Sequence, residues 1–162
     1  MSEAAVFTPA KPSDAQVIAQ LRLAAWKTTY RGIYPDDVID QYDVHERAKR
    51  DLEKINDPAL LVYLIRCGGQ PAGYLMLRME DLFIASLYLL EAYQRRGIGR
   101  QAFALVRERC QERGIRQFRC NCNAHNLPAQ SFYHAMGGVI VARDEGHANR
   151  QENQLTFQFQ AG

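Results

Sequence analysis

Gln94, Arg95, Arg96, Gly97, Ile98, Gly99 and Arg100 form the stretch of this chain most suited to holding a charged ligand. They lie between an apolar run, Leu82 to Leu90, and a helical pattern that begins near Gly97. Glycines at a strand-to-helix junction let the backbone turn tightly and approach a ligand closely. The first N–H groups of a helix have no intrahelical partner and sit at the positive end of its dipole. A phosphate is the natural guest at such a place. Arg95, Arg96 and Arg100 add guanidinium forks that match phosphate oxygens. The stretch reads as a pyrophosphate cradle, with a solvated, glycine-kinked helix start as the plain alternative.

Two other groups of residues carry chemistry. Cys120 and Cys122, with His125 close by, suggest a metal, but the CxxC-type spacing and a fourth ligand are missing. They read as thiols buried or half-buried on a strand, and no metal is expected. Trp26, Tyr30, Tyr34 and Tyr42 crowd one segment with amphipathic rings. Such rings either cap a core or form a pocket wall.

The elements that must position these groups follow from periodicity. Ala5 to Pro9 fits a short strand, and Ser13 fits an N-cap for a helix carrying Val17, Ile18, Leu21, Ala24 and Ala25. That helix runs towards Trp26 and fails by Arg31 and Gly32; Asp36 to Gln41 and Val44 to Ile55 follow as helices. Leu60 to Arg66 and Pro71 to Arg78 form a hairpin across Cys67 to Gln70, with Leu82 to Leu90 third in series. Gly73, inside its strand, marks a bulge or a close approach. Ile98, Ala102, Phe103, Leu105, Val106 and Cys110 share one side of a helix that Gly114 stops. Ile115 to Asn123 then returns as a strand through a crossover, parallel to Leu82–Leu90. Asn126 caps a further helix to Met136, with Pro128 in its first turn. Val139 to Arg143 and Gln154 to Gln160 are the last strands.

The 162 residues fit a single domain, and 47% hydrophobic with 23% charged residues suits a soluble globular protein. Sixteen arginines against four lysines leave a net charge of only +2, too mild for a nucleic-acid partner. No run approaches a membrane span and residues 1–14 lack a signal-peptide core, so a cytoplasmic protein with reduced cysteines is expected. Gly97, Gly99 and Ala102 also satisfy a dinucleotide fingerprint. That fold needs an acidic residue about 20 positions on, where Arg119 to Asn123 supply none.

Gln94 to Gly99 resembles the Q/R-x-x-G-x-G/A signature of the GNAT family of N-acetyltransferases, which bind acetyl-coenzyme A. Leu87 to Tyr93 resembles the strand entering that loop, and Asn126, Ala129, Phe132, Tyr133 and Gly137 resemble the family's N-x-x-A-x-x-F-Y-x-x-x-G segment. Trp26, Tyr30, Arg31, Gly32 and Pro35 are similar to the opening of many small members.

The resemblance implies an α/β (α+β) fold. Its sheet is mixed, mostly antiparallel and six- to seven-stranded, with a splayed parallel pair and flanking helices. It implies acetyl transfer from acetyl-CoA, a co-substrate, directly to a primary amine on a small molecule or peptide. The backbone of Arg95, Arg96, Gly97, Ile98, Gly99 and Arg100 would hold the pyrophosphate. Leu89 and Leu90 would offer main-chain groups to pantetheine and thioester, and Asn126 would touch the cofactor arm. Tyr133 would be the catalytic acid; Trp26, Tyr30 and Tyr34 would line the acceptor site. Members often dimerise, so a homodimer is open. Two departures stand out: Glu91 replaces a frequent proline, and Phe83 falls where several members carry a glutamate base. Glu80, Asp81, Glu91 and His45 are the substitutes available. A coenzyme A-binding protein with little catalysis is therefore the first rival, and a nucleic-acid-associated module the second.

Overall fold

A computed structural model describes residues 4–162. Seven strands form one sheet in the order β1-β2-β3-β4-β5-β7-β6. They are β1 Ala5–Pro9, β2 Leu60–Cys67, β3 Gln70–Arg78, β4 Ile84–Leu89, β5 Gln117–Asn123, β6 Val139–Asp144 and β7 Gln154–Gln160. All neighbours run antiparallel except β4 and β5. The helices are α1 Ala15–Ala25, α2 Asp36–Asp40, α3 Val44–Asn56, α4 Ile98–Arg113 and α5 Leu127–Ala135.

Local chemistry accounts for most of these elements. Gly68 and Gly69 both take positive φ (61° and 78°), the pairing a tight β2–β3 hairpin demands. Gly73 is a close approach: a Cβ there would collide with the Tyr88 carbonyl oxygen across the ladder. A bulge lies beside it on the same strand: Ile65 and Arg66 face Gly73 and Pro71, which leaves Ala72 as the extra residue. Ser13 does not cap α1; it lies inside a single 3-10 turn, Pro12–Asp14, whose Asp14 carboxylate accepts the Lys11 N–H at 2.9 Å. After α1 the backbone widens into one π turn, Trp26–Tyr30.

The two faces of the sheet hold separate cores. On one, Ile98, Phe103, Val106 and Cys110 of α4 pack on Phe118, Cys120, Phe157 and Phe159. Phe118 and Phe159 stack at 5.1 Å across neighbouring strands, a contact worth about 1 kcal/mol beyond its buried area. On the other, Ile18 and Leu21 of α1 pack on Val62, Leu64, Tyr74 and Met76, with Tyr88 at the margin. There Arg22 of α1 grips Asp51 of α3 through two hydrogen bonds of 2.7 and 2.8 Å, both residues being buried.

β4 and β5 are paired through Ile84 and Cys120 alone. Beyond that contact the two strands separate. The gap they leave lies at the Leu89 end of β4 and the Asn123 end of β5.

Candidate functional site

The cradle begins with two residues in the left-handed region, Arg95 (φ 62°) and Gly97 (φ 82°). Gly97 is the N-cap of α4 and has no side chain to satisfy the helix's first donors. The first bond back into the helix is Gln101 N–H to Gly97 O, 3.1 Å. The N–H groups of Ile98, Gly99 and Arg100 are left over by helix geometry. Arg95, Arg96 and Arg100 are exposed, and among the described residues none has a carboxylate partner. Arg96 lies over the Tyr93 ring at 5.3 Å. Ile98 offers only its backbone, since its side chain is buried.

Gly99 has a packing reason in addition to the one its spacing suggests. A Cβ there would stand 2.6 Å from Cζ and 2.9 Å from Cε1 of Phe132. The glycine therefore admits a ring of α5 against the first turn of α4, and its α-carbon faces protein.

Main-chain geometry separates Leu89 from Leu90. Leu89 stands opposite Gly73, and Leu90 N–H donates to Ala72 O at 2.8 Å. Antiparallel partners alternate between bonded and non-bonded pairs, so the Leu87 and Leu89 N–H groups point into the gap. The Leu90 N–H is spent within the sheet. The Leu89 carbonyl accepts from Gln94 Nε2 at 3.1 Å, tying the strand end to the cradle.

α5 brings in Asn126 and Tyr133. Asn126 Oδ1 caps α5 by accepting the Ala129 N–H at 3.2 Å. Its amide lies close enough to the Tyr30 oxygen to steady that oxygen's anion. Tyr133 is half-buried, its ring among Phe103, Phe132, Phe157 and Phe159. Burial, then the thiols of Cys120 and Cys122, push its phenol well above the ordinary range. Burial likewise pushes Cys120 up to about 12 and Cys122 to about 11. All four cysteines are buried, and among the described residues no cluster of ligating side chains could hold a metal.

The aromatic segment divides. Trp26 is 8% exposed, packed edge-on against Tyr34 and Tyr42 and covered by Arg47 at 5.0 Å. It backs the wall and does not line it. Tyr30 and Tyr34 stack at 4.3 Å, and Tyr30 meets Tyr88 edge-on at 6.2 Å. Tyr34 also borders an open groove of about 620 Å³ between residues 32–36 and 148–150. Arg150 Nη1 spans that groove to Gly32 O at 3.3 Å. Tyr88 lies within the Leu87–Tyr93 stretch but is not a fixed position of any motif there. Its signal was the alternation of β4, which places it on the face opposite Leu87 and Leu89.

The substitute bases are spread along the chain, with Glu91 alone next to the Leu89 end of β4. Asp81 is locked to Arg78 (2.9 and 2.6 Å) at the entry to β4, the opposite end from Leu89. Phe83 lies there too, beneath the Arg78 guanidinium at 4.7 Å. Glu80, Glu91 and His45 are exposed, on the β3–β4 turn, the turn after β4 and the start of α3.

The model of the acetyltransferase (GNAT) family matches residues 21–137. The chain belongs to that family. A relative named as an uncharacterized N-acetyltransferase in the pepI 3′ region of Lactobacillus delbrueckii subsp. lactis is 30% identical over 94 residues. That match spans 52% of this chain and 54% of the relative, about half of each. Among solved structures, the PaiA N-acetyltransferase of Thermoplasma acidophilum in complex with coenzyme A superposes with TM-score 0.81. It is 18% identical, with 97% of this GNAT chain and 99% of that one covered. An acetyltransferase from Thermus thermophilus gives TM-score 0.76 at 23% identity, covering 99% of both chains. YncA of Salmonella typhimurium, solved with acetyl-CoA, gives 0.69 at 18% identity, covering 98% of this chain and 95% of its own. These likenesses show the fold: a seven-stranded GNAT sheet with one parallel pair.

Proposed function

We propose that this acetyltransferase moves the acetyl group of acetyl-CoA directly to a primary amine on a small molecule or peptide. The observation that carries the reading is the uncapped N-terminus of α4 beside a gap into which Leu89 N–H points. Residues present fit the cofactor. The N–H groups of Ile98, Gly99 and Arg100, with the turn at Arg95 to Gly97, would hold the pyrophosphate. The three unpaired guanidiniums would add charge around it. Acetyl-CoA supplies the thioester.

Each chemical requirement has a candidate group. Leu89 N–H would donate to the thioester oxygen as negative charge gathers there. The Tyr133 hydroxyl, kept protonated by burial, would give its proton to the departing sulfur. Tyr30 and Tyr34 would flank the acceptor, with Trp26 supporting them from behind. Asn126 would act mainly by capping α5, which sets the position of Tyr133. Residues 1–162 would work as one cytoplasmic domain with reduced thiols; among the described residues no helix is long and apolar enough to cross a membrane. A homodimer remains compatible with this reading.

Calorimetry with acetyl-CoA, followed by an amine panel read by release of free thiol, tests it. Micromolar binding with thiol release on at least one amine is expected. Binding without release on any amine would favour a coenzyme A-binding protein, and neither would remove the cradle.

A further inference from the structure

We propose that the acceptor is a weakly basic primary amine, such as an α-amino group, received as the free base at the paired hydroxyls of Tyr30 and Tyr88. The inference rests on the acetyl-transfer reading and names the substrate class for the same site. Tyr88 lies on β4 one residue from Leu89, whose N–H points into the gap, and directly across the ladder from Tyr74. Tyr30 closes over it from the π turn, edge-on at 6.2 Å. The two hydroxyls hydrogen-bond to each other, so an amine held against the pair would sit on the α1 side of the gap, with Tyr133 on the α4 side.

Among the described residues, the titratable and charged groups that contact this pair are phenols, thiols and paired ions. From β3, Tyr74 is a fully buried phenol. From α1 and α3, Arg22 lies over the Tyr74 ring at 5.3 Å, but its charge is met by both oxygens of Asp51. From the turn after α1, Tyr34 stacks on Tyr30, while Arg31 is paired with Asp36 and Asp40 (3.4 and 2.8 Å). From β5 and α5 come Cys120, Cys122, Asn126 and Tyr133.

The loop before β7 adds Arg150 at Gly32 O, and a separate cluster in which His147 meets Asp144 (2.6 Å) and Glu152 (3.5 Å). His125 lies in the turn between β5 and α5. Asn153 Oδ1 accepts the His147 N–H at 2.9 Å, so Asn153 Nδ2 must donate to His125 Nε2 at 3.1 Å. The lone pair on that nitrogen is taken.

A desolvated ammonium in such a place would have no anion to face, and burying an unpaired charge is costly. Burial also pushes Tyr30 and Tyr88 upward, so both remain hydroxyls. A hydroxyl can accept an N–H from a free amine and leave the nitrogen lone pair available. In the transfer, that lone pair forms the C–N bond, the C–S bond breaks, and the sulfur takes a proton from Tyr133. The amine nitrogen loses one proton to water, and Tyr133 regains one. The free-base fraction then limits selection. An α-amino group titrates near ~8 and a lysine side chain near ~10.4, so at neutral pH the first offers roughly a hundred-fold more free base.

The test uses the full chain with saturating acetyl-CoA and two probe sets. The first is glycylglycine amide against Nα-acetyl-lysine amide. The second is ethylamine and its successively fluorinated derivatives, which change basicity at nearly constant size. Glycylglycine amide should have the higher kcat/KM at pH 7.5 by about a hundred-fold. Across the ethylamines, the acidic midpoint of the kcat/KM profile should follow each amine's own pKa. Tyr88→Phe should raise KM for the amine about ten-fold or more, leave acetyl-CoA affinity unchanged and leave each midpoint where it was. One common midpoint for all amines would reveal a base on the protein and overturn the proposal, as would equal or better use of Nα-acetyl-lysine amide. Binding of acetyl-CoA with no turnover of any amine would overturn acetyl transfer itself, and this inference with it.

Discussion

Phe132 Cζ of α5 lies 2.6 Å from the point where a Cβ on Gly99 of α4 would stand. The glycine of the cradle is thus also the contact by which α5, carrying Tyr133, is seated against α4. Gly99→Ala must displace the ring or the helix, at a cost of about 1–3 kcal/mol for an overpacked contact. The expected outcome is a lowered Tm together with weaker acetyl-CoA binding, measured by thermal unfolding and calorimetry. A variant of unchanged Tm that loses binding would instead locate the steric conflict on the ligand side.

The Arg22–Asp51 pair gives a prediction about stability alone. Asp51→Asn leaves a buried guanidinium without its counter-charge, which costs about 3–5 kcal/mol. For a chain of this size that is a fall in Tm of roughly 6–20 °C. Replacing both residues, Arg22→Met with Asp51→Leu, removes the uncompensated charge and should recover most of the loss. Thermal unfolding of the three proteins checks the ordering.

Arg78 and Asp81 form a pair of the opposite kind, about half exposed at the start of β4. The Arg78 guanidinium, more than any other cause, holds the Asp81 carboxyl below its ordinary value. A depressed carboxyl contributes stability above its unfolded pKa, near ~3.9, and loses it as pH falls through the lower folded value. Solvent screening keeps the contribution below about 1 kcal/mol. Asp81→Asn should therefore narrow its stability gap to the parent protein as pH is lowered below 4, and should leave acetyl transfer intact. Chemical unfolding at a series of pH values checks both.

Where a pattern has one physical cause, the sequence was readable. The side of α4 bearing Ile98, Ala102, Phe103, Val106 and Cys110 is buried as its period requires, and Gly114 ends the helix at φ 69°. The parallel partnership of β4 and β5 followed from the crossover, and their single contact at Ile84 and Cys120 accounts for the splay. Where two causes give the same residue, it was not. A glycine at 99 satisfies phosphate approach and ring packing equally well in one dimension, and only the position of Phe132 separates them. Leu89 and Leu90 look alike until hydrogen-bond alternation gives one N–H to the gap and the other to Ala72. Trp26 shared an aromatic cluster with Tyr30 and Tyr34, yet Tyr42 and Arg47 bury it. Tyr88 drew no notice because a tyrosine on an apolar strand is most simply a core residue. Its importance comes from Tyr30, far away in sequence and edge-on in space.

Tyr133 yields the most direct mechanistic prediction. Its ring packs with four aromatic neighbours, and its hydroxyl is near the Cys120 and Cys122 thiols at the gap. Tyr133→Phe keeps the ring, so stability and acetyl-CoA affinity should hold. If the hydroxyl protonates the leaving sulfur, turnover should fall by roughly a hundred-fold or more. A general acid works in its protonated form, so ionisation of Tyr133 would cut the rate on the alkaline side. Burial raises its pKa well above 10, which moves that limb beyond ordinary assay pH. The parent and the variant should then give profiles of the same shape, each with an acidic limb set by the amine and a plateau above it, differing only in height. The comparison is a pH–rate series for both proteins at saturating acetyl-CoA with an accepted amine. Equal plateaus would reduce Tyr133 to a packing residue and leave solvent to protonate the sulfur.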